Sequence, residues 1–223
     1  MVGDNLRNLC AKLPSGVKLV AVSKFHPVSR LMEAYDAGQR VFGENRPQEL
    51  AQKVPQMPSD VEWHFIGHLQ TNKLKLVLPY VSLVQSVDSI HLLEAIDKWG
   101  SENGKTIDVL LELHLGAEET KHGFSEEEIL AVISTKAEGR VEKSHVRIRG
   151  LMGMATNTED EGVIEADFAR IEALFQRIRA EHPELRDTFT ELSIGMSGDW
   201  PIAVRYGATM VRIGTDIFGE REY

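Results

Sequence analysis

The run Val17-Lys18-Leu19-Val20-Ala21-Val22-Ser23, closed by Lys24, is apolar on both alternating faces from Leu19 to Val22. A strand with two apolar faces must lie between a core and a layer of helices, as the strands of a parallel sheet do. Val109-Leu110-Leu111 repeats the pattern. Working outward, similar runs recur at Arg40 to Gly43, Val61 to Ile66, Val81 to Gln85, Ile107 to His114, Val146 to Met152, Phe189 to Ile194 and Met210 to Ile213, so eight strands are expected. Helical spacing separates them. Pro27 opens a segment with Leu31, Met32, Ala34 and Tyr35 that Gly38 stops, Asp88 precedes Ile90 to Trp99, and Ser125-Glu126-Glu127-Glu128 is a capping box ahead of Ile129 to Ile133. The longest helix is expected from Thr158 to Glu181, with Phe168, Ile171, Leu174, Phe175 and Ile178 on one stripe and Pro183 beyond its end. Strand and helix alternate without a GxGxxG or GxxxxGK[ST] turn, which predicts an α/β protein, a single (β/α)8 TIM barrel, rather than a doubly wound sheet.

The 223 residues suit one domain spanning 1–223, with a full core and no need of disulfides. Apolar residues make up 42% and charged residues 26%, a globular balance that excludes disordered and disulfide-scaffold classes. Twenty-five Lys and Arg against 34 Asp and Glu give a net charge of -9, which repels polyanions, so no nucleic-acid partner is expected. Cys10 is the only cysteine, which excludes an internal disulfide or thiolate metal cluster. No apolar run reaches the roughly 18 residues of a membrane span, and Met1 to Leu6 does not read as a secretory signal. A cytoplasmic protein with no membrane partner is expected.

In such a barrel the active face is the C-terminal end of the strands. Alternation puts Val20, Val22 and Lys24 on one face; if that face is the interior, an amine projects into the mouth. A partly desolvated lysine has a depressed pKa and attacks aldehydes, whereas an exposed one simply reaches solvent at a strand end. Arg212-Ile213-Gly214-Thr215 closes the eighth strand, with Arg212 directed to the same interior. The preceding unit contributes Ser193-Ile194-Gly195-Met196-Ser197-Gly198-Asp199. Small and hydroxyl residues after strands seven and eight mark the usual phosphate site of this fold. Taken singly, Ser197 reads equally well as a helix N-cap and Arg212 as an ion-pair partner.

Gly43-Glu44-Asn45 and Gly67-His68-Leu69-Gln70-Thr71-Asn72-Lys73 follow strands two and three. Asn45 is expected to cap the helix that begins at Pro47. His64 and His68 flank a strand end about 13 Å apart at strand rise, too far to share a metal. Glu118, Lys121 and His122 are expected to be solvated in the loop after strand five.

Several of these stretches resemble the pyridoxal phosphate homeostasis proteins. They are Ala21-Val22-Ser23-Lys24, Phe42-Gly43-Glu44-Asn45-Arg46-Pro47-Gln48-Glu49, Trp63 to Lys73, Ser86-Val87-Asp88, Gly150-Leu151-Met152, Leu192 to Ser197, and Val211-Arg212-Ile213-Gly214-Thr215. The resemblance runs nearly the whole chain, in order. It implies a single barrel of PLP fold-type III, related to the N-terminal domain of alanine racemase, that holds pyridoxal 5'-phosphate (PLP) as an aldimine on Lys24. It further assigns Arg212 to the pyridine nitrogen, Ser193, Ser197, Gly214 and Thr215 to the phosphate, and Asn45 to the pocket beside the ring. Two departures stand out: the N-terminal helix looks shorter than is common in the family, and His114 sits where an Asn is often found.

These features support an intracellular PLP carrier or buffer over an enzyme. Arg212 is permanently protonated, so a ring nitrogen facing it stays unprotonated and the ring is a weak electron sink. Racemisation also needs a second acid or base, and no tyrosine has a claim to that role: Tyr35, Tyr80 and Tyr206 read as helix residues, and Tyr223 is terminal. The alternatives are a narrow-range PLP-dependent racemase or lyase that draws on His68 or His114, and a Schiff-base aldolase acting on a sugar phosphate. A monomer is expected, with PLP-dependent apoenzymes as possible acceptors.

Overall fold

The computed structural model describes residues 1–116, 122–137 and 144–219. After α1 (Val2–Cys10) come β1 (Lys18–Val22), α2 (Val28–Asp36), β2 (Val41–Glu44), α3 (Pro47–Lys53), β3 (Glu62–Phe65) and α4 (Leu74–Val77). They are followed by β4 (Leu83–Val87), α5 (Ile90–Asn103), β5 (Ile107–Leu113), α6 (Glu126–Ala137), β6 (Val146–Gly153) and α7 (Glu161–Glu181). The series ends with β7 (Glu191–Ser193), α8 (Trp200–Arg205), β8 (Met210–Ile213) and α9 (Thr215–Phe218). Each strand pairs in parallel with the next, and β8 pairs with β1, so the sheet closes into an eight-stranded barrel.

Strand alternation divides the core. Leu19, Ala21, Val211 and Ile213 pack outward in the large cluster shared with the helices, while Val20, Leu83, Leu110, Met152 and Met210 form a small cluster inside the barrel. At the closing seam Val20 is in register with Arg212, which puts both on the interior face.

The helices begin where local chemistry satisfies their free amides. Ser125 N–H donates to Glu128 Oε2 (2.8 Å) and Glu128 N–H to Ser125 Oγ (3.2 Å), the reciprocal box the sequence predicts. The longest helix starts at Glu161 rather than Thr158, because the Asp160 side chain accepts from Gly162 N–H (2.9 Å) and caps it there. The short α1 packs against α2 and α9, and Asn5 Nδ2 donates to the Ile217 carbonyl (3.1 Å), so this helix flanks the seam. Among the described residues, no helix is long and apolar enough to cross a membrane. Glu118, Lys121 and Tyr223 lie outside the described residues.

Candidate functional site

Lys24, Asn45, Ser197, Arg212, Gly214 and Thr215 line one cavity of about 240 Å³ at the C-terminal mouth of the barrel. They come from the ends of β1, β2, β7 and β8, and only the closed barrel brings them together. Val22, Ile66, Met154 and Met196 supply apolar wall, and His26 joins the lining with its ring 4.8 Å from that of Phe218.

Arg212 anchors the floor. Its guanidinium donates to the Ser193 carbonyl (2.8 Å), to Ser193 Oγ (2.6 Å) and to the Gly153 carbonyl (2.9 Å). Ser193 Oγ in turn donates to Gln85 Oε1 (2.7 Å), and Gln85 Nε2 donates to His64 Nδ1 (2.8 Å). The chain has a single polarity: full burial drives His64 down to about 3, so its ring is neutral and can accept, which orients Gln85, then Ser193, then Arg212. Burial lowers Arg212 to about 10, with the Glu112 and Asp199 charges opposing the shift, so it stays a cation at neutral pH.

A second network grips the backbone on both sides of Lys24. Lys53 Nζ, buried, donates to the Ser23 carbonyl (2.9 Å), to Glu49 Oε2 (3.0 Å) and, in a close contact, to Glu44 Oε1. Ser23 Oγ donates to the same Glu44 oxygen (2.7 Å), and Phe25 N–H donates to Glu49 Oε2 (2.9 Å). Phe25 has φ +68°, a left-handed conformation that costs free energy in a residue with a bulky side chain and persists only where its surroundings hold it. Burial pushes the Glu44 carboxyl up and Lys53 pulls it back. Lys24 is therefore held between two residues whose main chains are tied to α3.

On the opposite flank Gly195 has φ +94°, and a Cβ there would meet the Ala203 Cβ at 2.7 Å, so the β7 loop needs glycine to turn into α8. Asp199 Oδ1 accepts from Met196 N–H (2.5 Å) and holds the loop that carries Ser197. Burial raises the Asp199 carboxyl, against the pull of the Met196 amide and Arg212.

Several expectations need correction. Asn45 does not cap α3: the N-cap is Arg46, and Asn45 Oδ1 is buried with no hydrogen-bond partner in a residue that lines the cavity. Pro47 cannot donate, so the helix start makes no demand on that side chain. Ser197 is not an N-cap either, since Asp199 holds that position in α8. Ser193 lies beneath Arg212 and is not part of the cavity wall. Tyr80 and Tyr206 sit in turns just past α4 and α8, and Tyr35 alone of the three is helical. His64 points into the barrel toward Gln85 while His68 is exposed beside Asp88. His114 is half-buried and outside the cavity wall. Sequence reasoning missed His26, Met154, Met196 and the Glu44, Glu49, Lys53 network. The i, i+4 spacing of Glu49 and Lys53 was the available signal, although it reads more simply as a surface helix pair.

A family model for the alanine racemase N-terminal domain matches residues 2–222. The pyridoxal phosphate homeostasis protein of Vibrio alginolyticus is 37% identical over 219 residues, covering 96% of this chain and 91% of that protein. PipY of Synechococcus elongatus, solved without PLP and with PLP bound, superposes with TM-scores of 0.91 and 0.88 at 37% identity, over 98% of this chain and 100% of PipY. Alanine racemase from E. faecalis shares the fold at a TM-score of 0.74 and 18% identity, and this chain covers 57% of it. The chain belongs to the pyridoxal phosphate homeostasis protein family, built on the alanine racemase N-terminal barrel.

Proposed function

We propose that this chain, working as one barrel over residues 1–223, binds PLP in the mouth cavity and serves PLP homeostasis as a carrier or buffer. The observation that carries this reading is the meeting of one amine, one buried guanidinium and two hydroxyls in a single small cavity, where Asn45 keeps a buried oxygen without a partner. When bound, PLP supplies an electrophilic aldehyde, a phosphate and a pyridine ring. Lys24 is the amine that takes the aldehyde, while Ser197, Gly214 and Thr215 hold the phosphate. Arg212 can only donate, so a ring nitrogen set against it accepts and stays unprotonated. Ser193 belongs to the positioning of Arg212 rather than to the phosphate, because its hydroxyl is already engaged by Arg212 and Gln85. Asn45 offers its unpartnered oxygen beside the ring.

Holding is favoured over turnover by the makeup of the wall. Among the described residues that line it there is no tyrosine, aspartate or glutamate, so His26, the one imidazole in the lining, is the group a turnover reading would need to move a second proton. The partly exposed Met154 and Met196 border the mouth, where PLP-dependent apoenzymes would receive the cofactor from a monomeric carrier in the cytoplasm.

The test is the absorption spectrum of the purified protein with added PLP, compared with Lys24→Ala. A visible band that borohydride removes, fixing the label on Lys24, is expected for the unaltered chain and not for the variant. No band at saturating PLP would overturn the reading, and racemisation of amino acids at about 1 per second or faster would replace carrier with enzyme.

A further inference from the structure

The mouth carries a second polar cluster, away from the PLP cavity. His68 follows β3, Asp88 directly follows β4 and His122 follows β5, three neighbouring strands of the barrel. One donor atom from each lies within 4.8 Å of the others. Asp88 Oδ2 is 2.8 Å from His68 Nδ1 and 3.9 Å from His122 Nδ1, and the two imidazoles stack at 4.1 Å with 17° between planes.

We propose that His68, Asp88 and His122 bind one divalent transition metal of the zinc type. Three donors bound at about 2.1 Å around one ion lie roughly 3.0–3.4 Å apart, and the observed separations from the shared oxygen, 2.8 and 3.9 Å, bracket that span. A hydrogen bond accounts for the His68–Asp88 pair but not for the placing of His122. The contact of 3.9 Å is too long for a hydrogen bond. Stacked rings cannot both aim an in-plane lone pair at one ion, so binding requires one of the two exposed imidazoles to turn toward Asp88 Oδ2. Binding shifts the His68 proton to Nε2 or releases it to solvent.

The carboxylate is prepared for this role. Its side chain is only 8% exposed, and Ser89 Oγ donates to Oδ1 (3.1 Å), so Oδ2 is left toward the histidines. Two imidazole nitrogens and one carboxylate oxygen select zinc, cobalt, nickel or copper over magnesium and calcium, and three protein ligands leave a coordination position for water. The exposed histidine faces give the ion a path from solvent. None of the three residues lines the PLP cavity, so the inference stands apart from the cofactor reading.

Calorimetric titration of chelator-stripped full-length protein with zinc chloride tests it. One equivalent should bind, and His68→Ala and His122→Ala should each weaken binding at least tenfold, while the control His91→Ala, an exposed residue on α5, binds as the unaltered chain does. Zinc should also raise the thermal midpoint of the unaltered protein and not that of either variant. Absence of saturable uptake below about 1 mM zinc, or equal binding by both variants, overturns the proposal. PLP uptake by the same variants, read from the visible band, should be unchanged, which separates failure of this site from failure of the cofactor site.

Discussion

The two sides of the barrel mouth anchor polar side chains in opposite ways. On the β8, β1 and β2 side, Arg212 and Lys53 are buried and bonded to main-chain carbonyls of other strands or loops, so moving either means moving backbone. On the β3, β4 and β5 side, His68 and His122 are 46% and 61% exposed and meet the Asp88 side chain. A cavity that must present an amine and a cation at fixed positions needs the first construction. A cluster that acquires order only when something binds is served by the second. The comparison teaches where rigidity resides: backbone acceptors inside a closed sheet position groups before any ligand arrives.

The largest effect expected is at Lys24. Lys24→Ala should abolish the visible PLP band and borohydride labelling outright, with the fold intact by circular dichroism, because the change removes the amine and leaves both networks in place. Lys53→Met tests whether the wired side depends on its buried cation. It strands Glu44 without its partner, and the loss of about 3–5 kcal/mol expected for breaking a buried pair should appear in urea unfolding. A loss below about 1 kcal/mol would mean that the network does not anchor this side.

Glu112 is sensed from both sides: burial and the Asp88 charge push its carboxyl up to about 7, with Arg212 pulling the other way. Between its ordinary value near 4.5 and 7 the folded protein holds this proton more tightly than the unfolded chain. The stabilisation is full below pH 4.5 and is lost as pH rises through 7, a change of about 3 kcal/mol at most. Glu112→Gln should remove that decline from unfolding measured across pH 4.5 to 8, and an unchanged slope would place the titration elsewhere. His64 acts with the opposite sign, since its folded value is depressed: its contribution is present above 6.5 and fades as pH falls toward 3.

Ser193→Ala should weaken PLP binding about tenfold through a less constrained Arg212, equivalent to about 1.4 kcal/mol. Unaltered affinity would show that the two carbonyl acceptors hold the guanidinium by themselves. The smallest effect belongs to the exposed side: His122→Ala should change metal-free stability by no more than about 0.5 kcal/mol in the same urea assay. A larger loss would mean that this side is wired after all.

Much of this architecture is legible in the chain. Leu19 to Val22 and Val109 to Leu111 announce buried parallel strands because both faces are apolar, and the period of two then places Val20 and Arg212 on the interior. Lys24, Ser197, Gly214 and Thr215 could be assigned to the mouth because they directly follow such strands. The expectation that Asn45 caps α3 fails because the helix starts at Pro47, which makes Arg46 the N-cap, and a proline at the first helical position removes one amide that a cap would serve. Ser193 was assigned to the phosphate by motif, but its place on the inward face beneath Arg212 depends on how deep β7 ends relative to β8, where the two meet at Ser193 and Met210.

The sequence by itself determined the strand and helix period, the barrel, the family and the residues that end its strands, because each of these is written in local spacing. Tertiary structure alone decided which side chains meet. The partnership of Lys53 with Ser23, the line from His64 to Arg212 and the convergence of His68, Asp88 and His122 join residues between 19 and 108 positions apart. Such contacts depend on barrel closure and register, which fix distance in space independently of distance along the chain.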